Sequence, residues 1–449
     1  MKMNSLLVAA IILAALSGVL YWSNHKKTAA SDVKVSSETP PKILTLSQAD
    51  ITKVEIKKKS GDGFSLAKND AGKWEILTPK PLRADQNEVS SMLSTLSSLN
   101  SERLIDEKAG NLAEYGLAQP AIEVDVTEKD NKSQKLLIGD STPTGNAAYV
   151  ALAGDPRVFT LASYNKTSLD KSAKDLRDKR LLVFEQDKLS RVELSAKKQE
   201  IEFGRNKDQW QIVKPKPLRA DDSNVQELIR KLADAKMDLS ASDEDQKKAA
   251  TAFASGTIVG VAKVTDASGT AELQVRKNKE NYYAKSTAVE GVYKVGSDLG
   301  TALDKSVDDF RNKKLFDFGF TDPDKIELHD GAKTYYLTKG RTDWWSGDGK
   351  KVEAIGAETF EEKVRDLAAS KFVDSGFTTP AIEVTAASNG GKNVEKVLIS
   401  KNGDRYIAKR DNEPALYELD ASAVTSLQNA AGDLKPVAEP KPAATGKKK

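Results

Sequence analysis

Apolar residues near the start of the chain recur at close to every second position. Val54 and Ile56 follow Ile51, Phe64 pairs with Leu66, and Trp74, Ile76 and Leu77 close the run. That period belongs to half-buried strands, whose successive side chains point to opposite faces. Gly61-Asp62-Gly63 and Asn69-Asp70-Ala71-Gly72 separate the runs as turn signals. The spacing predicts a β-meander, ended by Pro79 and Pro81. Asp85 and Glu88 then have the spacing of a capping box, which satisfies free N–H groups at a helix start. Val89, Met92, Leu93, Leu96 and Leu99 follow at helical spacing. Tyr115-Gly116-Leu117 and Pro120 mark a turn. A second meander runs through Ile122-Val124-Val126, Leu136-Ile138, Tyr149-Val150-Ala151 and Val158-Phe159. Leu169, Ala173 and Leu176 predict a closing helix. One unit therefore reads β-meander, helix, β-meander, helix, an α+β domain.

The pattern then repeats. Lys80-Pro81-Leu82-Arg83-Ala84-Asp85 recurs letter for letter as Lys216-Pro217-Leu218-Arg219-Ala220-Asp221. Leu176-Arg177-Asp178-Lys179-Arg180-Leu181-Leu182-Val183-Phe184 recurs as Phe310-Arg311-Asn312-Lys313-Lys314-Leu315-Phe316-Asp317-Phe318. Both offsets far exceed the roughly 20–50 residues of a solenoid repeat, so the copied unit is a whole domain. In the second copy Val192 and Leu194 open the unit, and Trp210 stands for Trp74. Val225, Leu228, Ile229 and Leu232 rebuild the helix, and Leu303, Val307 and Phe310 match the closing one. A third copy shows Ile326 and Leu328, then Trp344-Trp345, then Phe360, Val364 and Leu367. Pro380-Ala381-Ile382-Glu383-Val384 matches Pro120-Ala121-Ile122-Glu123-Val124. This copy departs from the others: its Arg83/Arg219 slot falls near Glu353, and no basic closing motif follows Leu427. The expected domains are residues 43–184, 185–318 and a degenerate 319–434.

Leu6 to Trp22 is apolar apart from Ser17 and Gly18. Seventeen helical residues span about 26 Å, at the short end of crossing a hydrocarbon core of about 30 Å. The run, preceded by Lys2, also resembles a signal-peptide core. Its edge carries Tyr21-Trp22, suited to a membrane interface, rather than a small-residue cleavage site. An uncleaved anchor over residues 1–22 is the stronger reading, with the large C-terminal region exported. Lys2 on one side and Lys26-Lys27 on the other leave the charge rule nearly silent on orientation. Residues 23–42 and 435–449 read as a disordered spacer and tail, with too few apolar residues to fold.

Composition narrows the chemistry. Lys and Arg total 69 against 66 acids, a net charge of +3 that provides no polyanion-binding field and argues against nucleic acid. The absence of cysteine removes disulfides, thiolate metal sites and cysteine nucleophiles. Two histidines, His25 and His329, are too few and too far apart for a histidine-built zinc site.

Several motifs together resemble the bacterial domain-of-unknown-function 4340 family. They are the Ile51-Thr52-Lys53-Val54-Glu55 opening, Trp74 with Pro81 and Asp85 behind it, and Tyr115-Gly116-Leu117 with Pro120. Leu137-Ile138-Gly139-Asp140-Ser141-Thr142-Pro143 and Leu176-Arg177-Asp178-Lys179-Arg180 complete the set. The second unit lacks the Tyr-Gly-Leu turn and the Gly-Asp-Ser-Thr-Pro loop. The resemblance implies a membrane-anchored, extracytoplasmic protein of the bacterial inner membrane. It also implies a link with gliding-type ABC transporter components. It implies no activity.

Candidate sites follow from the repeated polar residues. Arg83 with Asp85, and Arg219 with Asp221, are either equivalent anion sites or ion pairs fixing a sheet-to-helix turn, the aspartate capping the helix. Proline, cap and helix entry already account for the spelling, which favours the structural reading. Arg177, Lys179 and Arg180, with Arg311, Lys313 and Lys314, follow the closing helices. Cations there complement the helix dipole or form a contact cluster. Trp74, Trp210 and Trp344 read as shared core rather than stacking platforms. Gly139 to Gly145 lacks the Lys-Ser/Thr of a phosphate loop and reads as a hairpin. Asp243-Glu244-Asp245 lacks calcium-loop spacing and reads as a solvated loop. The expectation is a non-enzymatic interaction or accessory subunit with no cofactor or metal. It is anchored through residues 6–22 and bound to a protein partner in the envelope. The alternative is a module binding envelope glycan, peptide or another small ligand. A carboxylate-dependent hydrolase ranks behind both.

Overall fold

The structure, a computed structural model, describes residues 42–207, 209–319 and 321–438. The expected anchor at 6–22, nearly all of the spacer and the end of the tail lie outside these residues. No helix among the described residues is long and apolar enough to cross a membrane. The chain divides into two compact units, one ending at Asp178 and one beginning at Lys179.

The protein is mostly β. Three antiparallel sheets carry eight α-helices among the described residues. The first unit has one sheet. Its first meander is β1 (Ile51–Lys58), β2 (Phe64–Lys68), β3 (Trp74–Thr78) and the two-residue β4 (Leu82–Arg83). The helix α1 (Gln86–Ser97) follows, then a short β5 (Arg103–Asp106). The second meander is β6 (Ile122–Glu128), β7 (Ser133–Ser141), β8 (Ala147–Leu152) and β9 (Val158–Ala162). The two meanders are not separate layers. β1 pairs with β6, fusing them into one sheet of order β4-β3-β2-β1-β6-β7-β8-β9-β5. The predicted alternation explains the pairing: Ile51, Val54 and Ile56 on β1 and Ile122, Val124 and Val126 on β6 all point into one core. Leu77, grouped with them in the sequence, lies on the opposite face and is exposed.

The expected closing helix of this unit is split into α2 (Ser163–Leu169) and α3 (Ala173–Leu176). Ser172 breaks it by capping α3 in a reciprocal box with Asp175. Helices α1 and α2 pack together over the core.

The second unit carries two sheets. The first runs β13 (Leu218–Arg219), β12 (Gln209–Lys214), β11 (Gln199–Asn206), β10 (Arg191–Ala196), β14 (Thr257–Asp266), β15 (Gly269–Asn278), β16 (Asn281–Ser286), β17 (Val292–Val295). Its helices are α4 (Asp222–Asp234), α5 (Asp243–Ser255) and α6 (Ser297–Leu303). The second sheet runs β21 (Lys351–Val352), β20 (Trp344–Ser346), β19 (Lys333–Lys339), β18 (Pro323–Asp330), β23 (Ile382–Ser388), β24 (Asn393–Asn402), β25 (Arg405–Arg410), β26 (Leu416–Leu419), β22 (Lys371–Val373). Helices α7 (Ala354–Arg365) and α8 (Ala421–Gly432) cover it.

Three expectations need correction. First, the domain boundaries fall earlier than residues 184 and 318. Leu181 and Leu182 are buried in the core of the second repeat, and Leu315 and Phe316 in that of the third. They repeat the role of Ile43 and Leu44 in the first. Each apolar pair begins a domain rather than ending one. Second, Asp243-Glu244-Asp245 is no loop. It is the first turn of α5, where Ser242 caps the Asp245 N–H and the acids face the positive helix end. In the second repeat the closing segment after α6 is a 3-10 turn, Val307–Asp309. Third, the tail does not begin at residue 435. Glu353 N–H donates to the Lys435 carbonyl and Val437 N–H to that of Lys351. The third repeat therefore ends near Val437.

Candidate functional site

The two repeated spellings turn out to be two sides of one short ladder. In the first unit, Asp85 N–H donates to the Leu176 carbonyl at 2.8 Å and Asp178 N–H to that of Arg83 at 2.9 Å. In the second repeat, Asp221 N–H donates to Phe310 at 2.7 Å and Asn312 N–H to Arg219 at 3.0 Å. Arg-Ala-Asp is thus bridged to Leu-Arg-Asp in one copy and to Phe-Arg-Asn in the other. The ladder ties the start of the first helix to the end of the closing segment. The third repeat keeps it with different letters, Lys351-Val352-Glu353 against Lys435-Pro436-Val437. Its Arg83/Arg219 slot is therefore Lys351, and Glu353 stands in the aspartate slot without a side-chain cap bond.

Asp85 and Asp221 are helix caps. Asp85 Oδ1 accepts from the N–H groups of Asn87 at 3.0 Å and Glu88 at 3.3 Å, and Asp221 Oδ1 from Asn224 N–H at 3.1 Å. The side chain that folds back in the first unit is Gln86. It bonds both backbone groups of Trp74 at 2.9 Å. Asp222 takes the Trp210 N–H in the second repeat. Trp74 and Trp210 therefore sit alike, each buried and each locked to the helix that follows. Trp344 is buried too, while Trp345 is 39% exposed.

The arginines differ. Arg83 Nε lies 3.8 Å from the buried Asp178 carboxylate. Asn312 replaces that aspartate in the second repeat, and Arg219 reaches into the third repeat instead. Its Nε donates to Glu413, and its Nη2 to the Lys314 carbonyl and to the Tyr417 hydroxyl at 3.2 Å. Tyr417 donates in turn to Glu413. The buried Arg410 stands 3.5 Å from Glu413 and bonds Glu395 at 3.0 Å, while Glu395 accepts from Asp317 N–H at 2.8 Å. Burial alone pulls the Arg219 guanidinium pKa down. The Tyr417 oxygen and Glu413 carboxylate outweigh it, so the guanidinium is held above its ordinary value. Burial pushes the Tyr417 hydroxyl up. The repeated arginine thus joins two repeats within the second unit.

The basic residues after the closing segments do not gather into one patch. Arg177 follows α3 and lies in the ladder opposite Ala84. Lys179 and Arg180 belong to the second unit, where Met237 N–H donates to the Lys179 carbonyl and Leu181 N–H to that of Ala235. The same backbone pairing recurs with Lys313, whose carbonyl accepts from Ala369 N–H, and with Lys314 opposite Ala368. Arg311 pairs with Asp308 at 3.0 Å and lies 3.4 Å from the centre of the Phe372 ring, a second link between repeats. Sequence reasoning missed Glu413, Tyr417, Arg410 and Glu395. For Tyr417 alone a signal existed: Val292-Tyr293-Lys294-Val295 and Leu416-Tyr417-Glu418-Leu419 share a spelling in equivalent strands.

The family motifs of the first unit also converge. Gly116 has φ +67°, which a glycine adopts without strain, and a Cβ there would meet the Asp140 carboxyl at 2.5 Å. A Cβ on Gly139 would lie 2.2 Å from the Tyr115 carbonyl oxygen. The Tyr-Gly-Leu turn and the Gly-Asp loop are one close approach, with Tyr115 edge-on to Tyr149 beneath it. Residues 142–147 close the expected hairpin. The second repeat lacks both motifs, and there α5 packs on β15, β16 and β17.

A cavity touches the repeated residues of the second repeat. It measures about 360 Å³ and is lined by Trp210, Arg219, Asp221, Asp222, Asn312 and Lys314 among others. Trp210 Nε1 and Arg219 Nη1 are buried without partners. Elsewhere, both ring nitrogens of His329 are engaged, by Glu327 at 2.9 Å and Thr334 at 3.0 Å. Among the described residues no three His, Asp or Glu side chains converge as a metal set.

No curated protein and no solved structure matches the chain. A family profile does, over residues 74–211 and again over 210–389. Each match begins at a tryptophan-bearing third strand and runs through the ladder into the first strands of the next repeat. The two matches cover more than half of the chain, which therefore belongs to the DUF4340 family, a domain of unknown function.

Proposed function

We propose that this protein is a non-enzymatic interaction or accessory subunit. It is anchored in the bacterial inner membrane through residues 6–22, with its repeats on the outer side, beside an ABC-type transporter. The observation that carries the reading is the use of the repeated ionisable residues. Asp85 and Asp221 cap helices, and Arg219 and Arg311 hold neighbouring repeats together. Residues duplicated along with the domain thus serve construction and spacing. Domains carried on a stem contribute surface and reach. The test is affinity isolation of the full-length protein from its own membranes in mild detergent. A transporter membrane subunit co-eluting in reproducible ratio is expected, and a protein that isolates alone overturns the proposal.

The cavity at Trp210 favours a second reading, a site for envelope glycan, peptide or another small ligand. Its unpaired indole N–H and guanidinium nitrogen would each give a ligand oxygen a hydrogen bond. The buried state of Trp74, Trp210 and Trp344 counts against ring stacking on a sugar. Titration with soluble cell-wall glycan fragments and short peptides, followed by tryptophan emission, decides it. Unchanged emission and unchanged quenching in a Trp210-dependent signal remove this reading.

A further inference from the structure

The second repeat is one strand short. In the first unit β5 closes the sheet against β9, with Leu104 opposite Phe159 and Arg103 opposite Thr160. In the third repeat β22 closes it against β26, with Lys371, Phe372 and Val373 opposite Glu418, Tyr417 and Leu416. In the second repeat the order ends at β17. The residues that would supply the strand are Leu239-Ser240-Ala241, two of them small and poor strand formers. Ser242 immediately caps α5 and turns the chain away.

A cavity of about 470 Å³ opens at this edge, between the 238–241 segment, α5 and β17. Lys294 is the counterpart of Glu418 and Thr160, whose carbonyls accept backbone N–H groups from the closing segments. Lys294 is exposed. The other charges of the cavity are engaged: Asp238 with Ser240, Asp245 with Ser242, Lys248 with Glu244 at 2.8 Å. Among the described residues Lys294 makes no ion pair within 4 Å; Ser240 holds the Asp238 carboxyl below its ordinary value, and the Lys294 charge adds to that from across the cavity. Tyr293 stands where Tyr417 meets Phe372, ring centres 5.4 Å apart.

From this we infer that the β17 edge is a docking slot for an extended segment of a partner protein, which adds antiparallel to the sheet as β5 and β22 do in the sister repeats. Main-chain hydrogen bonds give such strand addition its affinity, and alternate side chains its specificity. In the third repeat Lys371 faces Glu418 at 3.0 Å. The second repeat presents the opposite charge, so its complement is an acidic residue against Lys294. An aromatic residue against Tyr293 and an aliphatic one against Val292 complete the register. The slot rests on the interaction reading above and names one surface for it.

The test is fluorescence anisotropy of labelled peptides with the full-length protein, one carrying Glu-Phe-Val and one Lys-Phe-Val in the same Ser-Gly flanks. The Glu peptide is expected to bind saturably, with about a fivefold preference over the Lys peptide, the scale of a directly opposed charge pair. Lys294→Glu should reverse the order. Lys294→Pro removes an edge N–H that faces away from β16 and should abolish binding of both, since an edge strand tolerates proline there. No saturable binding, an order unchanged in Lys294→Glu, or full binding by Lys294→Pro overturns the slot. Should the proline variant fail to fold, the Lys294→Glu result decides alone. Failed peptides with a transporter subunit still co-eluting would discard the slot and keep the accessory role. Reversed peptide preference with no co-eluting subunit would do the opposite.

Discussion

Replacing Arg219 with methionine tests whether the duplicated arginine joins the second and third repeats. Methionine keeps most of the side chain's length and apolar stem, so packing changes little while the charge and its donors are lost. Removing one member of a buried ion pair costs about 3–5 kcal/mol, because the other charge stays behind unpaired. Here the cost is reduced twice. Arg219 is 23% exposed at the side chain, and Glu413 keeps Arg410 at 3.5 Å. The Lys314 carbonyl and the Tyr417 hydroxyl also lose a donor. The expected loss is about 2–3 kcal/mol, measured by urea unfolding of the full-length protein followed by tryptophan fluorescence. Arg219→Lys should recover only part of it, since an ammonium cannot span Glu413, Tyr417 and a carbonyl together. Arg219→Met with Glu413→Gln should cost less than the two single changes taken together, because the neutral pair leaves no stranded charge. A single Arg219→Met variant within about 0.5 kcal/mol of the parent, or single effects that simply add, would refute the joint.

Two further changes probe other parts of the fold. Gly139→Ala should destabilise by about 1–3 kcal/mol in the same assay, since its Cβ would collide with the Tyr115 carbonyl, whereas Gly110→Ala, in open space, should stay within about 0.5 kcal/mol. Glu361 is buried, and that burial raises its carboxyl above the ordinary 4.5 despite Lys339 nearby. The folded state therefore binds this proton more tightly than the unfolded one, so its contribution to stability is present at low pH and is lost as pH rises from 4.5 through the raised value. Glu361→Gln should make the protein more stable than the parent at pH 7, with the gap closing below pH 4.5, and a gap that persists in acid would exclude this cause.

Much of the fold was legible because strands and helices report themselves locally. Val54 and Ile56, or Val225, Leu228, Ile229 and Leu232, carry their burial in their spacing, and the structure buries all of them. The cap role of Asp85 was legible for the same reason, since it depends on the residues two and three places on. What the sequence hid is non-local. The fusion of two meanders through β1 and β6 joins residues some seventy positions apart, and no periodicity within either run records it. Leu181-Leu182 looks like the end of one domain because it follows a recurring basic motif, yet its apolar pair is buried in the next core. The same holds for the joint: Arg219 was visible as a repeated letter, but Glu413 lies in a third-repeat loop whose spelling announces nothing.

That contrast bears on what duplication preserved. The ladder survives in the third repeat although Arg-Ala-Asp has become Lys-Val-Glu and Phe-Arg-Asn has become Lys-Pro-Val, because backbone groups make it. The side chains of the same residues have meanwhile diverged: Asp178 faces Arg83, Asn312 leaves Arg219 to reach Glu413, and Lys351 pairs with Asp343 at 2.9 Å. A catalytic or ligand site copied three times would show the reverse, fixed side chains on a tolerant backbone. The constant element here is the tie between helix start and closing segment, and the variable element is the partner of the basic side chain beside it, in its own repeat for Arg83 and Lys351 and in the next for Arg219. The shared feature of the three copies is therefore a backbone one, and the side chains around it are where they differ.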